Sequence, residues 1–592
     1  MIIRKAFTAS LALTGAMLAA RIAAADVALP VPQIQQLEDE WCWAASTQAV
    51  LQYHQQMSIS QCQIATWMEV TNGWSEVPAG KTAGDPNYCC DYPLNCDFTE
   101  PAPGVSGILG NFDIPGRFFG SGTPNNPPVT FAQVATELDR GNPVVYWLAY
   151  NGGGGHVEVI AGYSSRGGVL TLELMNPADG AYHQLTYAAA TGGTGYSYYW
   201  DNAHFTQSIN QNAGTSALDY RQAGGARCIY EFQPGSTDFW VDYTCSSSWS
   251  WADEGHPSGV TLAGEPQALT YQSSTGTQIL SSFAVGEDNN LWNLYWGGSS
   301  WSWLNVGHPA GVTLSTFTSA VAYEEATNAP GNNIYDSPRI DVLALGAVGS
   351  SEQLYRASWN GSSWSWAAQG GTPAVCSTPS VITYRQNTTN TQHVYAFYMG
   401  CDGHMHLYYT TDSVNWTTGD LGAAPGPTVG SPSAIAFHEG FGIGIYSFIL
   451  GSNGHLYVMY WNDAYGGGWH WADQGTPAGV TLTPGTYNNN VVSATTFREA
   501  GLQQHYIFAH GTNGHLYDNR WNGTAWSWED RGMPASPVGG GIQALSYMEP
   551  GTTSVTHRIK TFVNGTDNHL YTNTWDGALW SWTDQAAPAD VE

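Results

Sequence analysis

A phrase of two tryptophans separated by one residue recurs along the C-terminal part of this 592-residue chain. It reads "WSWADEGHPSGVTL" from Trp249, "WSWLNVGHPAGVTL" from Trp301, "WSWAAQGGTPA" from Trp364, "WHWADQGTPAGVTL" from Trp469, "WSWEDRGMPA" from Trp526 and "WSWTDQAAPA" from Trp580, with a worn copy, "VNWTTGDLGAAPG", around Trp416. The first tryptophans lie 52, 63, 52, 53, 57 and 54 residues apart. Such spacing marks a repeat architecture, in which each unit buries its apolar face only against its neighbours. Ahead of each pair sits a second phrase, such as "SNGHLYVMYWND" or "TNGHLYDNRWNG", preceded by an apolar stretch ending in Gly. Alternating large and small residues around Asn-Gly and Asp-Gly turns predict antiparallel hairpins. Three to four short strands in a unit of about 50 residues predict a β-propeller blade. Seven blades are expected, with six as the alternative. The inner strands are obvious in only six copies, so the blade containing Trp249 is expected to be incomplete or to borrow strands.

These units, "GHLYVMYWND…GGWHWADQGTPAG" above all, resemble those of the seven-bladed bacterial propeller lectins. The resemblance covers residues 236–592 and implies binding of fucosylated or O-methylated sugars. The repeated Trp, Asn, Asp and His offer aromatic faces and polar groups for that purpose, but no glycan-binding residue is singled out. For any one tryptophan, gluing blade to blade is the more economical role.

Length alone predicts more than one domain. Residues 1–25 read as a signal peptide: Arg4 and Lys5, an apolar run from Leu11 to Leu18, then Ala23-Ala24-Ala25. No later run approaches the roughly 20 apolar residues needed to span a bilayer. The chain is therefore expected to be secreted, without membrane insertion. With 17 basic against 47 acidic residues its formal charge is −30, which repels nucleic acid. Only 11% of residues are charged while 13% are aromatic, a profile suited to uncharged polar partners.

Nine cysteines is an odd number, which in an oxidising compartment flags a working thiol or an intermolecular bridge. Setting Cys42 aside leaves eight for four bridges. The cluster Cys62, Cys89, Cys90 and Cys96 fits no common zinc spacing, because two of its members are adjacent. No metal or other cofactor is expected. Local pairing is expected instead: within that cluster, Cys228 with Cys245, and Cys376 with Cys401.

Residues 26–235 lack the repeat and read as helix first, strands later. The stretch "QIQQLEDEWCWAAS" (Gln33 to Ser46) places Cys42 at the start of a helix, "CWAASTQAVLQYHQQM". There, unpaired backbone N–H groups and the helix dipole favour an anion, which predicts a lowered thiol pKa. A second helix is predicted from Thr130 as N-cap to Gly141, and "PVVYWLAY", "HVEVIAGY" and "GVLTLELM" read as strands, with a tight turn within Gly162 to Gly168. A thiol nucleophile requires a base. Of His54, His156, His183 and His204, His156 is favoured, because "NGGGGHVEVIAGY" puts it at the head of an apolar strand after a glycine run.

Together, "QQLEDEWCWAAS" and "GGHVEVIAGY" resemble papain-like cysteine peptidases, closest to a bacterial branch of effector proteases and exported "WCWAA" proteins. The resemblance spans residues 30–210 and implies an α+β papain-like domain ahead of the all-β propeller. It assigns Cys42 as nucleophile, His156 as base, Asn176 as the residue orienting the imidazole with Asp179 as fallback, and Gln36 as oxyanion-hole donor. Relatives often carry a second Cys at the position of Ser46. Glu38, Asp39 and Glu40 set negative charge near the thiol.

The function implied is a secreted cysteine endopeptidase acting on protein substrates and held on glycosylated surfaces by its propeller. Two alternatives stand beside it: a multivalent lectin or adhesin with an inactive papain-like domain, and a thioester-forming acyltransferase.

Overall fold

The computed structural model describes residues 27–589, except 56–58, 72–87, 100–101, 112–113, 115, 121, 166–168, 207–215, 222–226, 246–247, 274–277, 327–334, 349–350, 370–373, 386–391, 440–441, 463–466, 486–490, 500–501 and 551–554. The expected signal peptide lies outside the described residues, as does part of the turn before Gly168.

The N-terminal domain is built on one antiparallel sheet. Its strands run in the spatial order Gly116–Phe119, Tyr198–Thr206, Val144–Tyr150, Gly155–Ser164, Thr171–Asn176, Ala181–Thr186, and Val27–Ala28 pairs with the Gly155–Ser164 strand. The predicted helix Cys42–Gln55 packs against the strand that carries His156. Ala44, Ala45, Ala49 and Val50 are fully buried; their small size lets the helix approach the sheet closely. The second predicted helix, Phe131–Asp139, opens on a capping box in which the Thr130 side chain accepts from the Gln133 N–H. It is stopped by Gly141 at φ 83°, a left-handed position that costs glycine nothing.

Two further helices, Gln61–Thr71 and Ala102–Asn111, do not announce themselves in the sequence. The second, "APGVSGILGN", is rich in residues of poor helix propensity and is held by tertiary packing, with Val105, Ile108 and Leu109 fully buried.

The C-terminal part is a propeller of seven four-stranded antiparallel sheets. The blade containing Trp249 is complete. Its strands are Ala217–Arg221, Arg227–Pro234, Phe239–Thr244 and Ser250–Asp253, so the ring begins at Ala217 rather than at residue 236. The inner strands of this blade carry no counterpart of phrases such as "NGHLY" or "DNHLY" and so do not stand out in the sequence.

The repeated tryptophans stitch blade to blade. The first of each pair sets its ring against a phenylalanine in the second strand of the preceding blade: Trp301 on Phe232 at 5.6 Å, Trp364 on Phe283 at 5.8 Å, Trp469 on Phe397 at 5.6 Å, Trp526 on Phe448 at 6.0 Å and Trp580 on Phe508 at 5.9 Å. Trp249 closes the circle on Phe562 of the last blade at 6.0 Å. In five of the six pairs the second tryptophan donates its indole N–H to a backbone carbonyl of the preceding blade: Trp251 to Gln585 (2.7 Å), Trp303 to Glu254 (3.2 Å), Trp366 to Val306 (3.2 Å), Trp528 to Gln474 (3.0 Å) and Trp582 to Arg531 (2.8 Å).

The N-terminal domain is seated on the ring. Its helix Cys42–Gln55 meets the strand Val492–Glu499, helix Ala102–Asn111 meets Ser380–Arg385, strand Gly116–Phe119 meets Tyr335–Val348, and Met548 packs against the domain's core. Among the described residues, no helix is long and apolar enough to cross a membrane.

Candidate active site

Eight cysteines are joined, as Cys62–Cys90, Cys89–Cys96, Cys228–Cys245 and Cys376–Cys401. The local pairing expected from the sequence is thus the pairing observed. Cys42 alone is free.

Cys42 opens its helix beside the head of the His156 strand. The backbone N–H groups of Val157 and Trp43, and its own, stabilise its thiolate, while Glu40 and above all burial oppose it. Burial wins, and the thiol pKa is raised. The sequence-based expectation of a lowered pKa is therefore corrected. The helix N-terminus acts as foreseen, but the desolvation that comes with packing against the domain's core outweighs it. Trp41 and Trp43 are each 1% exposed, and their indole N–H groups donate to the carbonyls of Cys96 (2.6 Å) and Phe98 (2.9 Å). They fasten the start of the helix to the disulfide-bonded segment.

Strand pairing delivers the second pair of residues. The His156 strand and the Thr171–Asn176 strand are antiparallel neighbours, with Val159 opposite Met175, and this register carries Asn176 to His156. The contact runs from His156 Nε2 to Asn176 Oδ1 at 2.9 Å. The same oxygen accepts the N–H of Ala178 at 2.9 Å, which fixes the orientation of the amide. An acceptor at Nε2 requires that this nitrogen carry the proton, leaving Nδ1 as the basic atom. Burial lowers the His156 pKa, and the bond to Asn176 partly restores it.

Asp179, the fallback partner, is turned elsewhere and meets His183 Nε2 at 2.8 Å. The other histidines are occupied within the fold. Buried His54 touches Thr206 Oγ1 at 2.9 Å, with its pKa lowered by burial to about 3, and buried His204 touches Ser106 Oγ at 2.8 Å.

Gln36 lies on the loop leading to the nucleophile, and its own N–H donates to Pro177 O at 2.8 Å, so this loop is tied to the residue after Asn176. Its side-chain amide donates to the carbonyls of Glu38 (2.9 Å) and Asp39 (2.7 Å). Gln61, which sequence reasoning passed over, braces the loop from behind: its Oε1 accepts from the Leu37 N–H (2.9 Å) and its Nε2 donates to Gln35 O (2.8 Å). Ser46 is another residue whose role was not foreseen. Its buried hydroxyl donates to Val157 O at 3.1 Å. Glu158, also unforeseen, places Oε1 3.8 Å from His156 Nε2. Its signal was present as a lone acid inside the apolar run "HVEVIAGY".

Among the described residues, no group of three or more His, Cys, Asp or Glu is arranged to hold a metal ion.

No curated protein matches the chain. Among solved structures, BP39L lectin from Burkholderia pseudomallei is 17% identical, covering 64% of this chain and 97% of its own, with a TM-score of 0.42. A six-bladed fungal propeller, Aleuria aurantia lectin, described with a novel fucose recognition mode, is 17% identical over 65% of this chain and 98% of its own, at a TM-score of 0.36. AofleA from Arthrobotrys oligospora is 12% identical over 64% of this chain and 95% of its own, also at 0.36. Residues 28–208, which contain Cys42, His156 and Asn176, match the model of the Peptidase_C39 like family, so the chain joins a C39-like, cysteine-peptidase-like domain to a seven-bladed propeller.

Proposed function

We propose that the chain is a secreted cysteine endopeptidase whose propeller holds it to uncharged glycans. The observation that carries the peptidase reading is the one unbridged thiol, at a helix start against the N–H of Val157, the residue that follows a histidine held at 2.9 Å by Asn176. In this reading His156 Nδ1 takes the Cys42 proton, and the thiolate attacks a peptide carbonyl to form a tetrahedral oxyanion. His156 then returns the proton to the leaving amine, and water attacks the thioester with His156 again as base. Asn176 keeps the second imidazole proton on Nε2 throughout. The oxyanion would be met by the Cys42 backbone N–H and by Gln36.

The bridges support an oxidising, extracellular setting. Support for the glycan half comes from the repeat pattern. The aromatic and polar side chains repeated from blade to blade are of the kinds that stack on, and hydrogen-bond to, a sugar. Tethering through several such sites would raise local substrate concentration without any new contact in the cleft.

The inactive-domain reading has one observation in its favour: both amide protons of Gln36 are engaged by Glu38 and Asp39, so its service as an oxyanion donor needs one of those bonds to be exchanged. Digestion of a peptide library by the parent chain and by Cys42→Ala decides between the two. Equal cleavage, or none by either, rejects the peptidase reading. A glycan array with the full chain tests the propeller, fucosylated and O-methylated sugars first. Silence across the array rejects the lectin role.

A further inference from the structure

Glu158 stands two residues beyond His156 on one strand and therefore shares its face of the sheet. It is 6% exposed. A buried carboxyl in an otherwise apolar run is costly unless it does something there, and its Oε1 lies 3.8 Å from the nitrogen of His156 that Asn176 also binds. Resting on the peptidase reading above, we propose that Glu158 is a positioning residue: its carboxylate keeps the imidazole proton on Nε2 and steadies the imidazolium that forms when Cys42 gives up its proton.

The need for such a group follows from the site itself. Burial raises the Cys42 pKa and lowers that of His156, and both shifts oppose the thiolate–imidazolium pair. A negative charge beside the imidazole works in the opposite sense. The groups that face Glu158 come from four elements. Tyr146 and Tyr150 stand on the Val144–Tyr150 strand and Tyr198 on the next; all three hydroxyls are pushed upward by burial, with the Glu158 charge adding to it, and stay neutral through the working range. Asp179 disfavours the carboxylate and His183 favours it, both from the hairpin after Asn176, and His156 lies on the same strand.

Burial holds the Glu158 carboxyl up at about 7. Below that pH it is neutral and offers His156 no charge. Above it, the carboxylate raises imidazole basicity, so the reactive ion pair gains population as pH climbs through neutrality.

The experiment uses the full chain and iodoacetamide, whose rate of reaction with Cys42 follows thiolate population and needs no knowledge of substrate. Rates are taken from pH 5 to 9 for the parent, Glu158→Gln and Glu158→Asp, with Cys42→Ala as the labelling blank and melting curves at pH 6 as the check on folding. The parent profile is expected to rise with an inflection near pH 7. Glu158→Gln is expected to lose that inflection and to label about tenfold more slowly at pH 8, the equivalent of about one pKa unit on the imidazole. Glu158→Asp is expected to restore an inflection. Superimposable parent and Glu158→Gln profiles overturn the proposal and leave the peptidase reading standing. A parent whose Cys42 does not label at all defeats that reading and this inference with it.

Discussion

The Ser46 hydroxyl, one turn into the nucleophile's helix, donates to the carbonyl of Val157, the residue that follows His156 in its strand. One side chain thus sets the distance between the element carrying the nucleophile and the element carrying the base. Ser46→Ala leaves a buried carbonyl without its donor, which costs about 1–3 kcal/mol. Thermal unfolding should register that loss. Turnover should fall further than stability accounts for, with KM little changed, because a small displacement of nucleophile from base is felt chiefly in the chemical step.

Gln36→Ala separates two roles of one residue. Its bonds to Glu38 and Asp39 shape the loop, and loss of exposed or half-buried bonds of this kind costs about 1 kcal/mol. If Gln36 also meets the oxyanion, kcat falls about 100- to 1,000-fold. A steady-state assay beside a melting curve reads both. A fall in kcat under tenfold with an equal loss of stability assigns Gln36 to the loop alone.

In the ring, the two tryptophans of a repeat are expected to differ in cost. Trp582→Phe keeps the aromatic bulk but removes the N–H that reaches Arg531 O, a loss of about 1 kcal/mol. Trp580→Ala empties the space against Phe508 and removes the surface on which Arg531 rests, costing about 3–5 kcal/mol. Chemical denaturation of the full chain measures both, followed through the propeller's transition.

The seam between the first and last blades should make stability fall toward alkaline pH. Glu231 is fully buried and accepts from Ser216 Oγ at 2.5 Å, and burial pushes its pKa up to about 8 from an ordinary 4.5. Because the fold raises the pKa, the folded chain keeps a proton that the unfolded chain has released. Its contribution is complete below about pH 4.5 and is lost as pH rises toward about 8, at up to about 1.4 kcal/mol per pH unit. Glu231→Gln should flatten the decline in melting temperature between pH 5 and 8. An unchanged slope contradicts the assignment.

How much of this was legible beforehand depends on the range of the interaction that fixes each element. The blades repeat a local pattern, so the propeller and the blade-to-blade role of the tryptophans could be read directly, whereas the complete first blade, whose inner strands lack the repeated phrase, could not. Asn176 is reached only through the family resemblance, while the Cys42 helix, the Thr130 cap and the strand headed by His156 each carry their signal within a few residues. Ser46 and Gln61 do not. Whereas Glu158 stands two residues from His156 and was visible as a lone acid in an apolar run, the partners of these two lie 111 and 26 residues away, and it is strand register or loop packing that makes the contact. The raised thiol pKa was missed for the same reason. A helix start is visible in a sequence, whereas the burial that overrides it belongs to the assembled domain.

The four strands of the first blade are consecutive in the chain, and so are those of the last. Among the described residues, no strand is shared across their junction. The circle is fastened there by side chains: Trp249 on Phe562, Lys560 over Trp249, the Trp251 indole on Gln585 O, and Arg227 on the carbonyl of Met548. Under tension between its two ends such a ring has a preferred place to part, and the blades would then peel away one after another. The N-terminal domain spans the strands around Tyr335, Ser380, Val492 and Met548, and it has to lift off before that peeling can spread. Mechanical resistance of the propeller is therefore a property of the two domains docked together, measurable as a lower rupture force once the first is removed.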